Sequence, residues 1–415
     1  MDAVQTERIR NAVLLATGAF YTTGYATVGL LAILATAVRE VISRTWRWVP
    51  TSLDRPLVGL ASAAVLSALF SEWRRDSIAL SVLLALTMAL SVRTVAAYAV
   101  GGTDRCLRFL MIWVAGGVAA ALWVVVQSDP TGRIPATTPV LGTNGAGTTL
   151  AVAVVITMSL LGSRAPGRRW PLAAGLAVLL TGLVGTWARA AWLGAAAGVV
   201  ALLAVGAQPR GRLATALILL VLMGLAAVLL PRWPELYAEV RSIGSLEANR
   251  NRIIIWSTVP KMIADYPLVG VGYGTFVFAY PRYRPPTAPE LTPPFAHNLL
   301  LNAAAEMGVI GLVAIVALCT AGLASSWRWM VRSPRGSPER TVATTVLAAL
   351  VALLANEMVD GTVMSVHIGF GFFALLALGA VGDRYLTAAA GPAAAGSRAV
   401  RTARHAQETP RAPTR

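Results

Sequence analysis

Apolar runs long enough to cross a lipid bilayer recur along this chain, and they restrict its fold more than any other feature. A helix needs about 20 apolar residues to cross the hydrocarbon core. The runs cover residues 12–38, 56–71, 77–100, 106–127, 145–162, 171–187, 190–206, 212–230, 298–325, 341–356 and 361–382. Only 13% of the residues are charged, against roughly 25% in soluble domains, and the alternating pattern of barrel strands is absent. The sequence therefore predicts an all-α polytopic membrane protein.

Arginines in the segments between the runs predict which side of the membrane each segment faces, because cytoplasmic loops carry an excess of Arg and Lys. By this rule four segments are cytoplasmic: 163–169, 207–212, 326–340 and the tail from residue 383. The alternation of spans then places three segments outside: 128–144, 231–297 and 357–360. The net charge of +16 follows largely from these loops and the tail. No nucleic-acid motif accompanies it, so nucleic acid is not an expected partner.

Two apolar stretches decide how many spans the chain has. Residues 171–206 lie between two cytoplasmic loops and must cross twice, which puts the turn near residues 186–192 and Arg189 at the outer face. The first run, 12–38, is either one span with an outer N-terminus or a compressed hairpin around residues 21–24 with an inner N-terminus. Both alternatives stay open, so the sequence predicts about 11–12 transmembrane helices.

The chain is expected to divide into four regions. These are an N-terminal transmembrane bundle (1–230), a large extracytoplasmic loop with an amphipathic helix (231–297), C-terminal transmembrane helices (298–382) and a disordered cytoplasmic tail (383–415). The tail is rich in Ala, Arg, Pro and Thr, a composition that is typical of disordered segments.

The predicted outer loop contains three distinct segments. Residues 247–267 space their apolar side chains as in an amphipathic helix kinked at Pro260, which is either a lid on the membrane surface or an ordinary loop helix. The segment "PLVGVGYGTF" (267–276) lacks the preceding strand and the glycine spacing of a nucleotide loop, and it indicates a turn where backbone approaches a ligand. Residues 280–295 contain six prolines and predict a stiff connector.

Polar side chains at the mouth of the next span are the candidates for chemistry. His297 is either an interfacial polar cap or a general base, since imidazole titrates near neutral pH. Arg189 and Arg252 are either snorkelling anchors or a guanidinium clamp for a phosphate ester. Glu306 and His367, farther into the membrane, are either supporting groups or polar residues satisfied within the bundle.

Four segments resemble, in order, motifs of the O-antigen ligase and polymerase family of bacterial membrane glycosyltransferases. They are "GTNGAGTTLAV" (142–152), "TWARAAWLG" (186–194), "NRIIIWSTVPKMIADYPLVGVGYGTF" (251–276) and "HNLLLNAAAEMGVIGL" (297–312). The third segment resembles an Arg–Trp helix followed by P-L-x-G-x-G. The fourth resembles an H-N-x-x-L…E-x-G-x-x-G-L signature. The second resembles a Ser-Arg turn, although Ala188 stands where Ser is usual. The resemblance spans residues 12–382.

The resemblance implies a GT-C-like fold and a glycan transfer from an undecaprenyl-pyrophosphate carrier, on the extracytoplasmic face of the bacterial cytoplasmic membrane. The acceptor would be lipid A core, a second carrier-linked glycan or a protein side chain. Transfer would invert the sugar carbon without a nucleotide sugar, cofactor or metal. The resemblance also implies that His297 is catalytic and that Arg189 and Arg252 bind the pyrophosphate. Possible supporting residues are Arg250, Asn298, Glu306 and Asn144.

Three other functions are compatible with the sequence. Within the family, a polymerase that joins repeat units differs from a ligase in its acceptor. From another class, a lipid-linked glycan transporter is expected to show internal repeats and polar residues at the bilayer midplane, and no repeat is obvious here. A non-catalytic assembly factor for envelope polymers is the third.

Overall fold

The computed structural model describes residues 3–21, 24–128, 136–162, 169–205 and 233–387. Across these residues the regular elements are helical and no strand occurs. The α-helices are α1 (Ala3–Tyr21), α2 (Ala26–Ile42), α3 (Asp54–Phe70), α4 (Arg74–Ala99), α5 (Thr103–Gln127), α6 (Thr143–Gly162), α7 (Arg169–Gly185), α8 (Arg189–Val205), α9 (Pro234–Ser242), α10 (Arg250–Asp265), α11 (Phe276–Ala279), α12 (Leu299–Arg332), α13 (Pro338–Glu357) and α14 (Val366–Val381).

Six of the described helical segments are long and apolar enough to cross a membrane. They are α4, α5, α6, α12, α13 and the segment Ile368–Leu386, and α7 and α8 are shorter apolar helices. These segments confirm the predicted fold class, an all-α polytopic membrane protein. The number of crossings and the division into four regions stay predictions.

Parts of the predicted layout lie outside the described residues. They are the apolar run 212–230, the arginine loops at 163–168 and 207–212, residues 129–135 of the segment 128–144, and the tail from residue 388. The side chain of His367 likewise lies outside what the structure describes.

The first apolar run forms two helices, α1 and α2, that pack against each other. Tyr21 is the last residue of α1, and its hydroxyl donates to the carbonyl of Ile368 at 3.2 Å, near the start of α14. Of the two alternatives for residues 12–38, the structure therefore has the hairpin. The outer ends of the two helices lie at the same end of the bundle, because Arg10 of α1 and Glu40 of α2 form an ion pair at 3.2 Å.

The stretch 171–206 also forms two helices, α7 and α8, of 17 residues each. Between them Trp187 has a left-handed φ of +56°, which reverses the chain. The indole Nε1 of Trp192 donates to the carbonyl of Leu183 at 3.0 Å and joins the two helices across the turn. Arg189 is the first residue of α8 and therefore lies at this turn.

The large loop is held against a break near the start of α12. Gly308 has a non-helical backbone, with φ +62° and ψ −161°, and a Cβ placed there would lie 2.3 Å from the carbonyl carbon of Leu268. The amide of Gly272 donates to the carbonyl of Glu306 at 3.0 Å, and a Cβ on Gly270 would lie 2.3 Å from that same carbonyl carbon. The glycines were expected to let backbone approach a ligand. In the structure Gly270 admits the backbone of Glu306, and Gly272 and Gly274 lie against the side chains of Ser71 and Leu80.

Contacts to the large loop define the two ends of the helical bundle. Ser71 follows α3, and its hydroxyl donates to the carbonyl of Val271 at 2.7 Å. The hydroxyl of Ser77, in the first turn of α4, donates to the carbonyl of Tyr273 at 2.9 Å. We call this the loop end. The opposite end, where α2 and α4 end and α5 begins, is called the far end.

Candidate active site

The three residues that the motifs single out line one cavity beneath the large loop. The cavity has a volume of about 360 Å³. Its lining residues are Arg189, Ala248, Asn251, Arg252, Glu290, Pro294 and His297. Two guanidinium groups, one carboxylate and one imidazole therefore face a common space, and guanidinium groups are well shaped to bind phosphate oxygens.

His297 lies one residue before Asn298, the N-cap of α12. Its φ of +51° is left-handed, a conformation that costs free energy in residues other than glycine and that clusters at functional sites. The ring packs edge-on against Phe295, with the centroids 4.8 Å apart. Its Nδ1 lies 3.4 Å from Oδ1 of Asp360, which leaves Nε2 as the ring nitrogen that this carboxylate does not engage.

Asp360 is the common partner of the site residues. Its side chain is fully buried, and its Oδ1 accepts a hydrogen bond from Nδ2 of Asn144 at 3.0 Å. The same oxygen lies 3.4 Å from Nδ1 of His297 and 4.0 Å from Nη2 of Arg252. Its other oxygen, Oδ2, is buried without a hydrogen-bond partner among the described residues. Because a buried carboxylate needs compensating charge, Asp360 favours cationic neighbours at this place.

The short segment that carries Asp360 is held by a second buried carboxylate. Glu357 is the last residue of α13, and it accepts hydrogen bonds from the hydroxyl of Thr362 and the amide of Val363, both at 2.9 Å. The side-chain amide of Asn356 also donates to Glu357, at 3.2 Å. The chain therefore wraps around the Glu357 carboxylate, and this arrangement fixes the position of Asp360.

Arg252 has the freer of the two guanidinium groups. It lies in the first turn of α10, its side chain is 20% exposed, and its one ion pair among the described residues is the 4.0 Å contact with Asp360. Burial lowers the pKa of Arg252, and the Asp360 carboxylate opposes this shift. An arginine remains protonated at neutral pH in spite of such a shift, so Arg252 presents a positive charge to the cavity.

Arg189 is engaged by the loop that covers it. Its Nε lies 3.2 Å from Oε1 of Glu239. Its Nη1 donates to the hydroxyl of Ser242 at 2.8 Å, and its Nη2 donates to the carbonyl of Ala248 at 3.1 Å. The guanidinium therefore ties α9 and the following turn to the start of α8.

A smaller cavity of about 240 Å³ adjoins the same two arginines. Its apolar lining residues are Ala190, Leu193, Ile243, Leu246, Ile253, Trp256 and Val359. Arg189 and Arg252 line both cavities. They therefore stand between a polar space and a more apolar one.

The helix α10 forms one wall of the site. Ile255, Val259 and Met262 are buried on one face of it, in a small core with residues of the large loop. The indole Nε1 of Trp256 donates to the carbonyl of Ala296 at 2.9 Å, next to His297. The helix continues through Pro260. Packing of α10 and this hydrogen bond therefore hold Arg252 close to the segment that carries His297.

Two of the possible supporting residues, Arg250 and Asn298, contact parts of the protein outside the cavity. Arg250 is 55% exposed, lies 3.8 Å from Glu247 and does not line the cavity. Asn298 caps α12, because its side-chain oxygen accepts hydrogen bonds from the amides of Leu300 and Leu301. Its Nδ2 also donates to the carbonyl of Met358 at 2.7 Å, which joins the start of α12 to the segment that carries Asp360.

Glu306 is buried and is not among the residues that line the cavity. One of its carboxylate oxygens accepts from the amide of Phe276 at 3.1 Å, and the other accepts from Nδ2 of Asn302 at 3.0 Å. In the structure this carboxylate anchors the short helix α11 to α12. By contrast, Asn144 is brought into direct contact with Asp360.

Two carboxylates near the cavity were missed by sequence reasoning. Glu290 lines the cavity and accepts from Nδ2 of Asn251 at 2.6 Å. Asp360 lies behind His297 and Arg252. Both belong to segments that the charge rule placed on the same side as His297, and that shared location was the available signal. In the part of the chain that the structure describes, no group of three or more His, Cys, Asp or Glu could hold a metal ion.

The fold and the cavity define a multi-pass helical membrane protein with an arginine–histidine site under its large loop. A model of the O-antigen ligase family matches residues 174–316, a span that includes Arg189, Arg252 and His297. No curated protein matches the chain at a significant level. The chain therefore carries an O-antigen ligase domain, which confirms the predicted family. This match supports an O-antigen ligase-like or polymerase-like membrane glycosyltransferase.

Proposed function

We propose that this protein transfers a glycan from an undecaprenyl-pyrophosphate carrier to an acceptor hydroxyl on the extracytoplasmic face of the bacterial cytoplasmic membrane. The observation that carries the proposal is the meeting of His297, Arg252 and Arg189 around one cavity. The buried carboxylate of Asp360 lies behind the first two of these residues. A base beside two guanidinium groups suits a reaction in which a hydroxyl attacks and a diphosphate leaves.

In the proposed reaction, Asp360 orients the imidazole of His297 through Nδ1, and Nε2 takes the proton of the acceptor hydroxyl. The hydroxyl oxygen attacks the anomeric carbon of the donor sugar. The bond from this carbon to the diphosphate oxygen breaks, and the diphosphate leaves on the carrier with the bonding electrons. A single displacement inverts the sugar carbon and requires no metal. A positioned base of this kind contributes roughly 10²–10⁴-fold to the rate.

The two arginines have different roles in this proposal. Arg252 has one weak ion pair in the described structure, so its fork is available for two diphosphate oxygens. Arg189 already binds the carboxylate of Glu239. In this proposal the carboxylate of Glu239 occupies the position of a donor phosphate, and the phosphate displaces it from Arg189 when the donor binds. Preorganised positive charge at the leaving group is often the largest catalytic effect in such a site.

The more apolar cavity beside the arginines suits the start of the carrier's hydrocarbon chain. It lies between α8 and α10, and Leu193 and Ile253 are among its lining residues. A carrier lipid placed there would have its diphosphate at Arg189 and Arg252 and its sugar in the cavity of His297.

The first test is complementation of a gene deletion with wild type, His297→Ala or His405→Ala. Loss of a base that contributes roughly 10²–10⁴-fold should abolish surface glycan, with normal protein level and membrane insertion for His297→Ala. His405 lies in the C-terminal tail, and His405→Ala serves as the matched control that should rescue fully. Surface glycan and carrier-linked glycan are measured together.

The pattern of accumulated glycan separates the candidate functions. Long carrier-linked chains without surface glycan would identify a ligase. Single carrier-linked repeat units would identify the polymerase alternative. Carrier-linked glycan retained on the cytoplasmic side, or full activity of the His297→Ala variant, would contradict the proposed transfer reaction.

A further inference from the structure

A second charged cavity lies at the far end of the bundle, remote from His297. Its volume is about 500 Å³. Its lining includes Ala97 and six charged residues, which are Glu7, Arg10, Glu40, Arg44, Arg47 and Arg105. They come from α1, the end of α2 and the residues after it, the end of α4 and the start of α5. Four arginines and two glutamates thus surround one space.

Both glutamates of this far-end cavity are already neutralised. The carboxylate of Glu7 lies 3.0 Å from Nη1 of Arg105. The carboxylate of Glu40 is 1% exposed, lies 3.2 Å from Nη1 of Arg10 and also pairs with the buried Arg93. No carboxylate of the lining therefore remains to compensate the other two arginines.

Arg44 and Arg47 carry the uncompensated positive charge. Both line the cavity, both are exposed, and neither has an ion pair among the described residues. Arg44 has a left-handed φ of +56°, and among the described residues other than glycine only Trp187 and His297 also have a positive φ. The carboxylates of the lining are already paired with other arginines. The two exposed guanidinium groups of Arg44 and Arg47 therefore favour an anion that binds to both of them.

Buried donors next to the cavity also lack partners. Arg93 is 1% exposed, and its Nε and Nη1 have no hydrogen-bond partner among the described residues. The same holds for Nε of Arg10. Buried N–H groups without partners are rare in native structures, and each requires an explanation. An anion in the cavity would add negative charge beside this cluster of cations.

Two tryptophans beside the cavity indicate its level relative to the lipid headgroups of the bilayer. The guanidinium carbon of Arg93 lies 3.8 Å from the ring centroid of Trp46. Trp46 and Trp48 are 38% and 40% exposed. Tryptophan is enriched at the level of lipid headgroups, so the cavity lies where a phosphate of the bilayer surface is within reach.

We infer that the far-end cavity binds a phosphate-bearing anion, either the headgroup of an anionic phospholipid or a free phosphate. Arg44 and Arg47 supply the binding charge, and Arg10 and Arg105 complete the positive wall. The inference is independent of the proposed transfer reaction, because none of these residues belongs to the site of His297. Guanidinium groups bind phosphate in a bidentate manner, and an anionic membrane surface attracts them.

The experiment uses native mass spectrometry to measure how much lipid stays bound to wild type and to each variant. The protein is released from nanodiscs that contain phosphatidylglycerol and phosphatidylcholine in equal amounts. Wild type is expected to retain phosphatidylglycerol selectively. The double variant Arg44→Gln/Arg47→Gln should lose about fivefold for each arginine removed, or roughly 25-fold together. Arg335→Gln is the matched control, since Arg335 is exposed at the far end and does not line the cavity.

A second arm distinguishes a free phosphate from a phospholipid headgroup. Wild type and the double variant are placed in nanodiscs of phosphatidylcholine alone, and the equilibrium binding of labelled inorganic phosphate is measured. Binding in this arm that requires Arg44 and Arg47 would assign the site to a soluble ligand. The variant Glu7→Gln removes a lining carboxylate and should increase binding of the same anion, a gain that misfolding does not produce. The inference would be overturned if wild type, the double variant and Arg335→Gln retained phosphatidylglycerol equally and if wild type and the double variant also bound phosphate equally.

Discussion

Asp360 is buried, yet groups from three other parts of the chain converge on one of its oxygens. Asn144 precedes it by 216 positions and His297 by 63, and both contact Oδ1. Arg252 provides the nearest full positive charge, at 4.0 Å. A carboxylate that engages one nitrogen of a histidine fixes the orientation and the tautomer of the ring. We therefore treat Asp360 as the positioning residue for His297 and Arg252.

The variant Asp360→Asn tests this role. An asparagine keeps the size of the side chain but loses the negative charge that orients the imidazole, so kcat should fall by at least about 10²-fold. The donor KM should change less than in the arginine variant described next. Transfer is measured with purified protein and carrier-linked glycan. Asp265→Asn is the control, because Asp265 contacts Tyr283 on the loop. Equal losses in the two variants would contradict the positioning role.

Arg252→Lys tests the guanidinium fork. Lysine retains the charge but cannot form two parallel hydrogen bonds to a diphosphate. We expect the donor KM to rise about tenfold or more, as for the loss of a hydrogen bond to a charged group. The matched control is Arg250→Lys, two positions earlier on the same helix and outside the cavity. Donor binding that is equal in both variants would count against the clamp.

The contact between the large loop and the broken start of α12 is the element that holds the site. The loop backbone pairs with residues 305–310 through the amide hydrogen bonds of Val271, Gly272, Val309 and Ile310. Glu306 adds its carboxylate to the amide of Phe276. Because the loop also carries α10 and His297, this contact transmits the position of α12 to the cavity.

The variant Gly308→Ala should weaken this contact. Its φ of +62° is unfavourable for alanine, and the added Cβ would overlap the backbone of Leu268 at 2.3 Å. The backbone strain alone should cost about 1–3 kcal/mol of stability. Thermal unfolding in detergent and protease cleavage of the loop are the measurements. Gly59→Ala is the control, because a Cβ at Gly59 in α3 meets nothing within 4 Å. A Gly308→Ala variant as stable as wild type would show that the contact is not required.

For the whole molecule, the two ends of the bundle differ in chemistry. The loop end carries the cavity of His297, Arg189 and Arg252. The far end carries the arginine cavity and the ion pairs of Asp383 with Arg328 and Arg332, each at 2.8 Å. Positive charge at the ends of spans favours the cytoplasmic side, so we expect the far end to be cytoplasmic.

Cysteine labelling of the whole molecule tests this orientation. Cys106 and Cys319 are first replaced, since both are free. A cysteine at Thr292, exposed on the loop, should react with an impermeant maleimide in intact cells. Cysteines at Val4 and Arg335 should react only after the membrane is opened, because the α1–α2 hairpin returns the N-terminus to the far end. Labelling of Val4→Cys in intact cells would contradict the predicted orientation of the N-terminal hairpin.

The amino-acid sequence by itself determined the fold class and the family. Span-length apolar runs depend only on local composition, and a bilayer accepts few structures other than helices for such runs. The motifs that include Arg189, Arg252 and His297 are likewise local, and they lie within the matched residues 174–316. The same local reasoning could not choose between one span and a hairpin for residues 12–38.

Only the tertiary structure decided which polar groups meet. Asn144 and Asp360 lie outside the matched span and reach His297 through contacts across the fold. The tertiary structure also decided that Arg189 is bound by Glu239, that Glu306 anchors the loop and that Arg44 and Arg47 face a second cavity. The physical reason is that composition and spacing act over a few residues. A buried charge selects its partners from whichever helices pack around it.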